Sequence, residues 1–332
     1  MRSTWIMAAG IAAALGVTAS GPAAQAQVAQ SQAEFPNRPV RLIVGFTPGS
    51  SADIAARVTG NRMTKVLGQQ VVVENRPGAA SSIAAEHVAR AEKDGHTLFM
   101  MSSANINNQI INPALTFDVV KDFTPVALIN NTAIVLAVHP DTGIKSVKEL
   151  IERAKAKPGG LSYASSGVGT APHMSGVLFA DRAGIDILHV PYKGSPAAAT
   201  DLLAGRVAMM FAPASTVVAH AKEGKLRLLA TTTDQRLKIL PGVPTMAEAG
   251  MPDFETSIWF GLVAPAGTPK AAVDKLAKAV AAATKAPEIA EAWAPQGIIP
   301  LHGGPEFFAR HIASELKRWS AAAESAGLTK GK

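Results

Sequence analysis

The chain has 332 residues, enough for two domains of ordinary size. Hydrophobic residues make up 48% and charged residues 17%, a globular balance that excludes a disordered chain. The net charge of +7 comes from scattered basic residues, which argues against a nucleic-acid partner and favours a mild field that attracts small anions. Cysteine is absent, so disulfides, thiolate chemistry and a lipidated cysteine are excluded.

The N-terminus has the pattern of an export signal. Arg2 provides a positive charge, an apolar run follows over residues 5–17, and Ala24-Gln25-Ala26 offers a cleavage site after Ala26. The apolar run is too short for a resident membrane helix, which makes an anchor the weaker interpretation. We therefore expect an exported, periplasmic protein.

Strands and helices alternate through the first half. Residues 40–46, 70–75, 96–101, 125–130 and 133–139 are rich in β-forming residues and predict strands. Helices are expected near 52–67 and 81–91. Ser146 and Glu149 form a capping box that opens a further helix, which Pro158-Gly159-Gly160 ends.

The second half repeats this alternation. Predicted strands at 161–166, 187–192, 207–213 and 226–233 are separated by predicted helices at 174–184, 197–205 and 216–224. Two helices are expected at the end, from 268 and from 304, the last with a core-facing stripe at Phe308, Ile312, Leu316, Trp319 and Ala323. The pattern predicts an α/β protein with two doubly wound, mainly parallel sheets, whose strand-end loops bind ligands.

The loop after the first strand reads GFTPGSSAD and matches neither a P-loop nor a dinucleotide-binding motif. Gly49, Ser50 and Ser51 offer backbone N–H groups and hydroxyls at a helix N-terminus, which suits a carboxylate. Plain capping explains the same residues equally well, with Ser50 as N-cap and Asp53 three residues later.

Three further strand-end loops have similar chemistry, because they combine small residues with uncharged donors. Their candidate ligand-binding residues are Ser102, Ser103 and Asn105 in the segment 101–108, Ser165, Ser166 and Thr170 in 162–176, and Tyr192 and Lys193 in 191–194. Lys193 also fits an ordinary surface lysine. Together the four loops predict a cleft lined mainly by neutral donors.

The sequence gives little support to catalysis. It contains neither a G-x-S-x-G elbow nor an H-E-x-x-H metal motif. His173 has no adjacent nucleophile pattern and fits a structural histidine better than a general base. We expect no catalytic residues, no metal and no cofactor.

Several motifs stand in an order that resembles a known family. They are VRLIVGFTPGSSADIAAR, VVVENRPGA, KDGHTL, HVPYKG, PTMAEAG and WFGLVAPAGTP. From about Phe35 to Leu328 the chain is similar to the Bug-type substrate-binding proteins of the tripartite tricarboxylate transporter system. The resemblance implies a periplasmic two-lobed Venus flytrap of type II, with lobe one at 35–138 plus 260–328 and lobe two at 139–259. The two interlobe crossings would fall near 138–140 and 259–263.

The resemblance also implies a function and a set of ligand contacts. The lobes would close on a small carboxylate and deliver it to a membrane permease, with the protein acting as a monomer. The implied contacts are Gly49, Ser50, Ser51 and Asp53 in the first loop, Ser165, Ser166, Thr170 and His173 in the third, and Tyr192 and Lys193 in the fourth. A ligand-sensing partner of a histidine-kinase ectodomain and a periplasmic enzyme acting on organic acids stay open as alternatives.

Two departures from the family pattern are present. Thr47 and Ser50 replace the usual residues in FTPGSS. The stretch FAPAS, with Ala212, Pro213 and Ala214, predicts a more apolar wall of the binding site. Such a wall would favour a ligand with an apolar or aromatic body and one main carboxylate over citrate.

Overall fold

The structure is a computed structural model in which residues 35–325 are described. The predicted export signal and its cleavage site after Ala26 lie outside these residues. Within the described range, no helix combines the length and the apolar character that a membrane span requires.

The strands are β1 (Val40–Val44), β2 (Val71–Asn75), β3 (Thr97–Ser102), β4 (Phe123–Val138), β5 (Ser162–Ser165), β6 (Leu188–Pro191), β7 (Met209–Pro213), β8 (Arg227–Thr231), β9 (Ser257–Pro265) and β10 (Ile298–Gly303). The helices are α1 (Ser51–Leu67), α2 (Ser82–Ala89), α3 (Ser103–Ile111), α4 (Val147–Ala156), α5 (Ala171–Ala183), α6 (Ser195–Leu203), α7 (Ala214–Lys222), α8 (Lys270–Thr284), α9 (Pro287–Trp293) and α10 (Pro305–Ser325). Short 3₁₀ turns cover 79–81, 140–142 and 294–296.

The predicted α/β class with two sheet regions is confirmed. Strand β1 pairs in parallel with β2 and β3, and β5 pairs in parallel with β6 and β7. Every antiparallel pair involves β4 or β9. The parallel arrangement therefore holds in the outer parts of the sheet, where crossover helices connect the strands, while the centre is antiparallel.

Strand β4 links the two halves of the molecule. Residues 123–133 pair with β9, whereas residues 134–138 pair with β7 and β8. The sequence predicted two separate strands here, at 125–130 and 133–139, with Asn131-Thr132 between them. The strand in fact continues through these residues, and irregularities at 125–127 and 128–130 absorb the mismatch.

The pairing bears on the interlobe crossings without testing the predicted lobe bounds. The partner of β4 changes between Ala133, which pairs with Ser257, and Ile134, which pairs with Pro213. The crossings expected near 138–140 and 259–263 stay predictions. Below, the half with β1, β2, β3, β9 and β10 is called the first half, and the half with β5, β6, β7 and β8 the second half.

The helices differ from expectation in two places. Residues 103–111 form α3, although the sequence suggested an irregular loop over 101–108, and α9 with β10 had no counterpart in the predicted elements. The expected stripe of α10 is confirmed, since Phe308, Ile312, Trp319 and Ala323 are buried. Phe307, which precedes the stripe, is half-exposed.

A buried carboxylate fixes α10 to β9. Glu315 Oε2 accepts hydrogen bonds from the indole nitrogens of Trp259 at 2.9 Å and Trp319 at 3.2 Å. We expect Glu315→Ala to lower the free energy of unfolding by about 3 kcal/mol, because it leaves two buried N–H donors without an acceptor. Urea denaturation measures the loss. The exposed Glu324→Ala is the control, and an equal effect in both variants would contradict this account.

Candidate functional site

Four helix N-termini meet at one small cavity, which we call the inner cavity. Helices α1 and α3 reach it from the first half, and α5 and α6 from the second half. Seven hydroxyl side chains line it, together with Phe46, Ala104, Ala171, Pro172, Ile258 and Phe260; the hydroxyls belong to Ser50, Ser51, Ser102, Ser103, Ser166, Thr170 and Ser195. Its volume is about 20 Å³, room for about one water molecule.

The order of elements explains this convergence. Strands β1, β3, β5 and β6 are each followed by a short loop or directly by a helix. Because neighbouring parallel strands end at the same edge of a sheet, the helices that follow them begin at that edge. Each helix N-terminus carries partial positive charge and free N–H groups. Four such ends around one point make an environment suited to an anion.

A larger outer cavity of about 730 Å³ adjoins the inner one and shares Phe46 and Ser166 with it. Its other lining residues are Gly45, Gly78, Ala79, Ala80, Asn108, Ile111, Asn112, Pro113, Gly167, Val168, His173, Pro191, Tyr192 and Lys193. No carboxylate is among the described residues that line either cavity. Lys193 is exposed and forms no ion pair within the described chain, so the outer cavity has a net positive bias.

In the first loop, the acidic residue supports the loop itself. Asp53 accepts hydrogen bonds from the Gly49 N–H at 3.0 Å, from Arg57 at 3.0 Å and from Asn75 at 2.9 Å. Burial acts to raise the pKa of Asp53, but these hydrogen bonds outweigh it and hold the pKa below its usual value. Ser50 Oγ accepts from the Asp53 N–H at 3.3 Å as the N-cap of α1.

The capping interpretation therefore describes Ser50 and Asp53 in this conformation, and Gly49 and Asp53 line neither cavity. Their predicted contact with a ligand stays a prediction. Ser51 differs, because it is buried, lines the inner cavity and makes no cap. It is the residue of this loop best placed to present a hydroxyl to an anion.

The segment after β3 also combines a cap with unsatisfied donors. Ser102 and Asn105 form a reciprocal capping box at the start of α3, with the Ser102 N–H donating to Asn105 Oδ1 at 3.0 Å. Ser103 Oγ and Asn105 Nδ2 are buried and have no hydrogen-bond partner in the described part of the chain. Buried polar groups are normally satisfied, so Ser103, which is 1% exposed and lines the inner cavity, marks a place for an acceptor.

The loop after β5 is held by two stacked histidines. His189 Nε2 lies 2.7 Å from Ser165 Oγ, and the Gly169 N–H donates to His173 Nδ1 at 3.1 Å. The rings of His173 and His189 lie 4.2 Å apart, and Tyr163 stacks on the far side of His189. Because Nδ1 of His173 accepts, its neutral ring carries the proton on Nε2. Ser165 thus shapes the loop, while Ser166 and Thr170 line the inner cavity.

The environment of the histidine pair disfavours protonation. Burial and the neighbouring His189 ring lower the pKa of His173 to about 4. Burial alone lowers the pKa of His189 to about 4. At neutral pH both rings are therefore uncharged, which is the state that the Gly169 hydrogen bond requires.

The fourth predicted pair lies at the outer cavity. The Tyr192 hydroxyl donates to Asp201 Oδ2 at 2.6 Å, and Arg206 binds the other oxygen of the same carboxylate. Burial and the bond to Asp201 raise the pKa of Tyr192 to about 12. Asp201 therefore supports the side chain of Tyr192.

The prediction of an apolar wall from FAPAS is wrong. Ala212 and Ala214 pack in the core of the second half, and Pro213 is buried where β7 passes into α7. No residue of this stretch lines either cavity. The side chains of this stretch face the core of the second half. Its departure from the family pattern therefore does not change the lining of the two cavities.

Sequence reasoning missed several lining residues. Ser195 begins α6 and lies in the inner cavity, and the signal for it was present, because Gly194-Ser195-Pro196 is a typical helix start. Phe46 and Asn112 line the outer cavity without any local motif that announces it. Within residues 35–325, no group of three or more His, Cys, Asp or Glu side chains could hold a metal ion.

Comparisons with known proteins place this geometry in context. The family described as TctC, tripartite tricarboxylate transporter family receptor, matches residues 55–328. The UPF0065 protein of the tcbD-tcbE intergenic region of a Pseudomonas species is 39% identical over 307 residues, which cover 92% of this chain and 90% of that protein. The protein BugT of Bordetella pertussis is 36% identical over 295 residues, 88% of this chain and 90% of BugT.

Two solved structures with ligands are similar over nearly their full length. A protein of R. palustris with adipate is 35% identical, with a TM-score of 0.86, and the match covers 89% of this chain and 99% of that one. MatC from Rhodopseudomonas palustris, with bound malate, is 32% identical, with a TM-score of 0.83 and coverage of 86% and 99%. Both ligands are dicarboxylates.

The loop before α2 carries backbone strain at the outer cavity. Ala79, Ala80 and Ser81 are consecutive non-glycine residues with φ of 45°, 47° and 78°. A left-handed conformation costs such residues about 1–2 kcal/mol each. We expect Ala80→Gly to raise the free energy of unfolding by about 0.5–1 kcal/mol after the entropy of glycine is counted. Ala313→Gly, at an exposed position of helix α10, should instead lower the free energy of unfolding by about 1 kcal/mol. Loss of stability in both variants would contradict the strain.

The histidine pair predicts a pH dependence of stability. Since the folded-state pKa of about 4 lies below the usual value of 6.5, the unfolded chain takes up protons first as the pH falls. Stability should therefore decline between about pH 6.5 and pH 4. In His173→Asn with His189→Gln, which keep acceptors at the Nδ1 and Nε2 positions, this part of the decline should vanish. Urea denaturation at several pH values measures it, and parallel pH curves for variant and wild type would refute the assignment.

Proposed function

Because the chain belongs to the tripartite tricarboxylate transporter receptor family, we propose that it captures a small carboxylate between its two halves and delivers it to a membrane permease of that system. The protein would act in the periplasm as a monomer and without catalysis. Its lobes would be residues 35–138 plus 260–328 and residues 139–259, with crossings near 138–140 and 259–263.

The observation that carries the proposal is the inner cavity. Four helix N-termini and seven hydroxyls from both halves surround it, and none of the described residues that line it is charged. Neutral donors and helix dipoles stabilise a carboxylate without a strong ion pair, so that the ligand can be released again. A phosphate ester would usually meet a lysine or arginine, and none lies there.

The outer cavity would hold the rest of the ligand. Phe46, Ile111, Pro113 and Val168 offer apolar contact, while Asn112 and Lys193 offer a donor and a positive charge. A carboxylate with a short carbon body and a second acceptor group fits this combination. Relatives with adipate and with malate support a dicarboxylate as the first class to test.

The non-catalytic interpretation rests on the chemistry of the same surfaces. His173 is the one histidine among the described residues of the outer cavity, and its Nδ1 is already engaged by the loop. Asp53, the acidic residue of the first loop, is saturated by hydrogen bonds. Neither group is free to take a proton from a bound substrate.

A panel of mono-, di- and tricarboxylates tests the proposal. A ligand present at one hundred times its dissociation constant should add about 2.7 kcal/mol of stability, a shift of several degrees in the melting temperature. Thermal denaturation and titration calorimetry measure it. No shift with any carboxylate, alongside clear shifts with other metabolite classes, would refute the assignment.

Ser103→Ala gives a sharper test of the inner cavity. The Ser103 hydroxyl has no partner in the ligand-free protein, so its removal should leave the free energy of unfolding nearly unchanged. Ligand affinity should fall about tenfold or more, since a hydrogen bond to a charged group is lost. The matched control is Ser146→Ala, which removes the cap of α4 outside both cavities and should cost about 1 kcal/mol of stability with no change in affinity. Unchanged affinity in Ser103→Ala would place the carboxylate elsewhere.

A further inference from the structure

One side chain joins the two halves directly across the cleft. Asn107, on α3 of the first half, is 1% exposed, and its Nδ2 donates to the backbone carbonyl of Gly169 in the second half at 2.9 Å. The acceptor is a carbonyl oxygen, which fixes the orientation of the amide. Sequence reasoning did not single out this residue.

Only glycine permits this approach. Gly169 has a φ of +83°, and a Cβ atom there would lie 2.9 Å from Asn108 Oδ1. The loop therefore touches α3 with its backbone, and the distance between the halves is set by main-chain contact. An added side chain would push α3 and the loop apart.

The same glycine is held on its other side by the second half. Its N–H donates to His173 Nδ1, while its carbonyl accepts from Asn107. The loop that contains Gly169 also contributes Ser166 and Thr170 to the lining of the inner cavity. A hydrogen bond that holds Gly169 against α3 thus also holds these hydroxyls opposite the hydroxyls of the first half.

The size of the inner cavity gives this bond a role in ligand entry. A cavity of about 20 Å³ has room for about one water molecule, and a carboxylate group with its attached carbon is larger. Because Ser166 alone of the seven hydroxyl residues also lines the outer cavity, a carboxylate can enter the inner cavity and reach all seven hydroxyls only if the halves separate. Separation of the loop from α3 breaks the bond from Asn107 to Gly169.

From these contacts we infer that Asn107 is a positioning residue that sets the balance between the open and the closed protein, and so scales the affinity for every ligand without selecting among ligands. The inference rests on the proposed function for its ligand. Its buried Oδ1 has no hydrogen-bond partner among residues 35–325, so closure gains one hydrogen bond and leaves one acceptor unsatisfied. The two effects oppose each other, which keeps the balance reversible.

The first test compares Asn107→Ala with wild type over the carboxylate panel. Every ligand that binds should bind about 3–10-fold more weakly, by the same factor, with a faster dissociation rate and a nearly unchanged association rate. Gln109→Ala is the matched control, because its side chain lies on the same helix and bonds to Val119 within the first half. A changed order of preference among ligands would show that Asn107 contacts the ligand instead, and equal affinity would also overturn the inference.

The second test needs no ligand. Because the chain has no cysteine, Arg90→Cys and Leu188→Cys can carry two spin labels on exposed positions, one on each half. Asn107→Ala should shift the distribution of label distances in the ligand-free protein towards longer values, and Gln109→Ala should not. Identical distributions would overturn the inference.

A second variant guards against misfolding. Asn107→Asp keeps the size of the side chain but turns an acceptor towards the Gly169 carbonyl, so it should open the protein at least as far as Asn107→Ala. Circular dichroism confirms the fold of each variant. If no carboxylate binds the wild type, the proposed function fails, while the label distances still decide the role of Asn107.

Discussion

The rest of the structure depends on the continuity of β4. This strand of 16 residues is built into the first half by β9 and β10 and into the second half by β7 and β8. Both halves pair with the same strand. The edges at which their parallel strands end therefore face each other. That arrangement brings the N-termini of α1 and α3 opposite those of α5 and α6. Without the shared strand, each half would only expose two helix N-termini, with their free N–H donors, to solvent.

The chemistry of the inner cavity follows from what burial permits. A buried ion pair costs much desolvation, and a lone buried cation costs more. Helix N-termini and hydroxyls carry only partial charge, so they can be buried empty or occupied at a smaller cost. The charged groups of the first loop instead stabilise the loop itself, because Arg57 and Asn75 donate hydrogen bonds to Asp53. Lys193, the positively charged residue among the described lining residues, lies at the outer cavity. Its side chain is exposed, so water solvates the charge.

The alternation of strands and helices could be predicted from the sequence because β-branched runs and helix starts are local signals. The loops after β1, β5 and β6 were therefore found, and Ser51, Ser166 and Thr170 line the inner cavity as residues of those loops. The segment after β3 was misread as a loop, because its serines and asparagines suit a cap and a turn equally well. The supports of the site, such as His189 beneath Ser165, depend on contacts between distant residues, and no local pattern encodes them.

The continuity of β4 itself was hidden for a similar reason. Asn130 and Asn131 are poor strand formers by propensity, and their place in the strand is imposed by pairing with β9 and β10 on both sides. Pairing between residues that are far apart in the sequence makes β4 continuous, and one sequence alone does not display such pairing.

Under the proposed function, the two cavities have different parts in recognising the ligand. The inner cavity offers the same partial charges to any carboxylate, so it cannot distinguish one acid from another. Distinction must come from the outer cavity, where the shape set by the strained loop at Ala80 meets the side chains of Tyr192 and Lys193. Closure depends on main-chain approach instead, since a Cβ atom at Gly194 would lie 2.4 Å from Thr47 Oγ1 and one at Gly169 would meet α3. Substitutions around the outer cavity can therefore change which acid is bound while the anion-binding centre and the closing contacts stay intact.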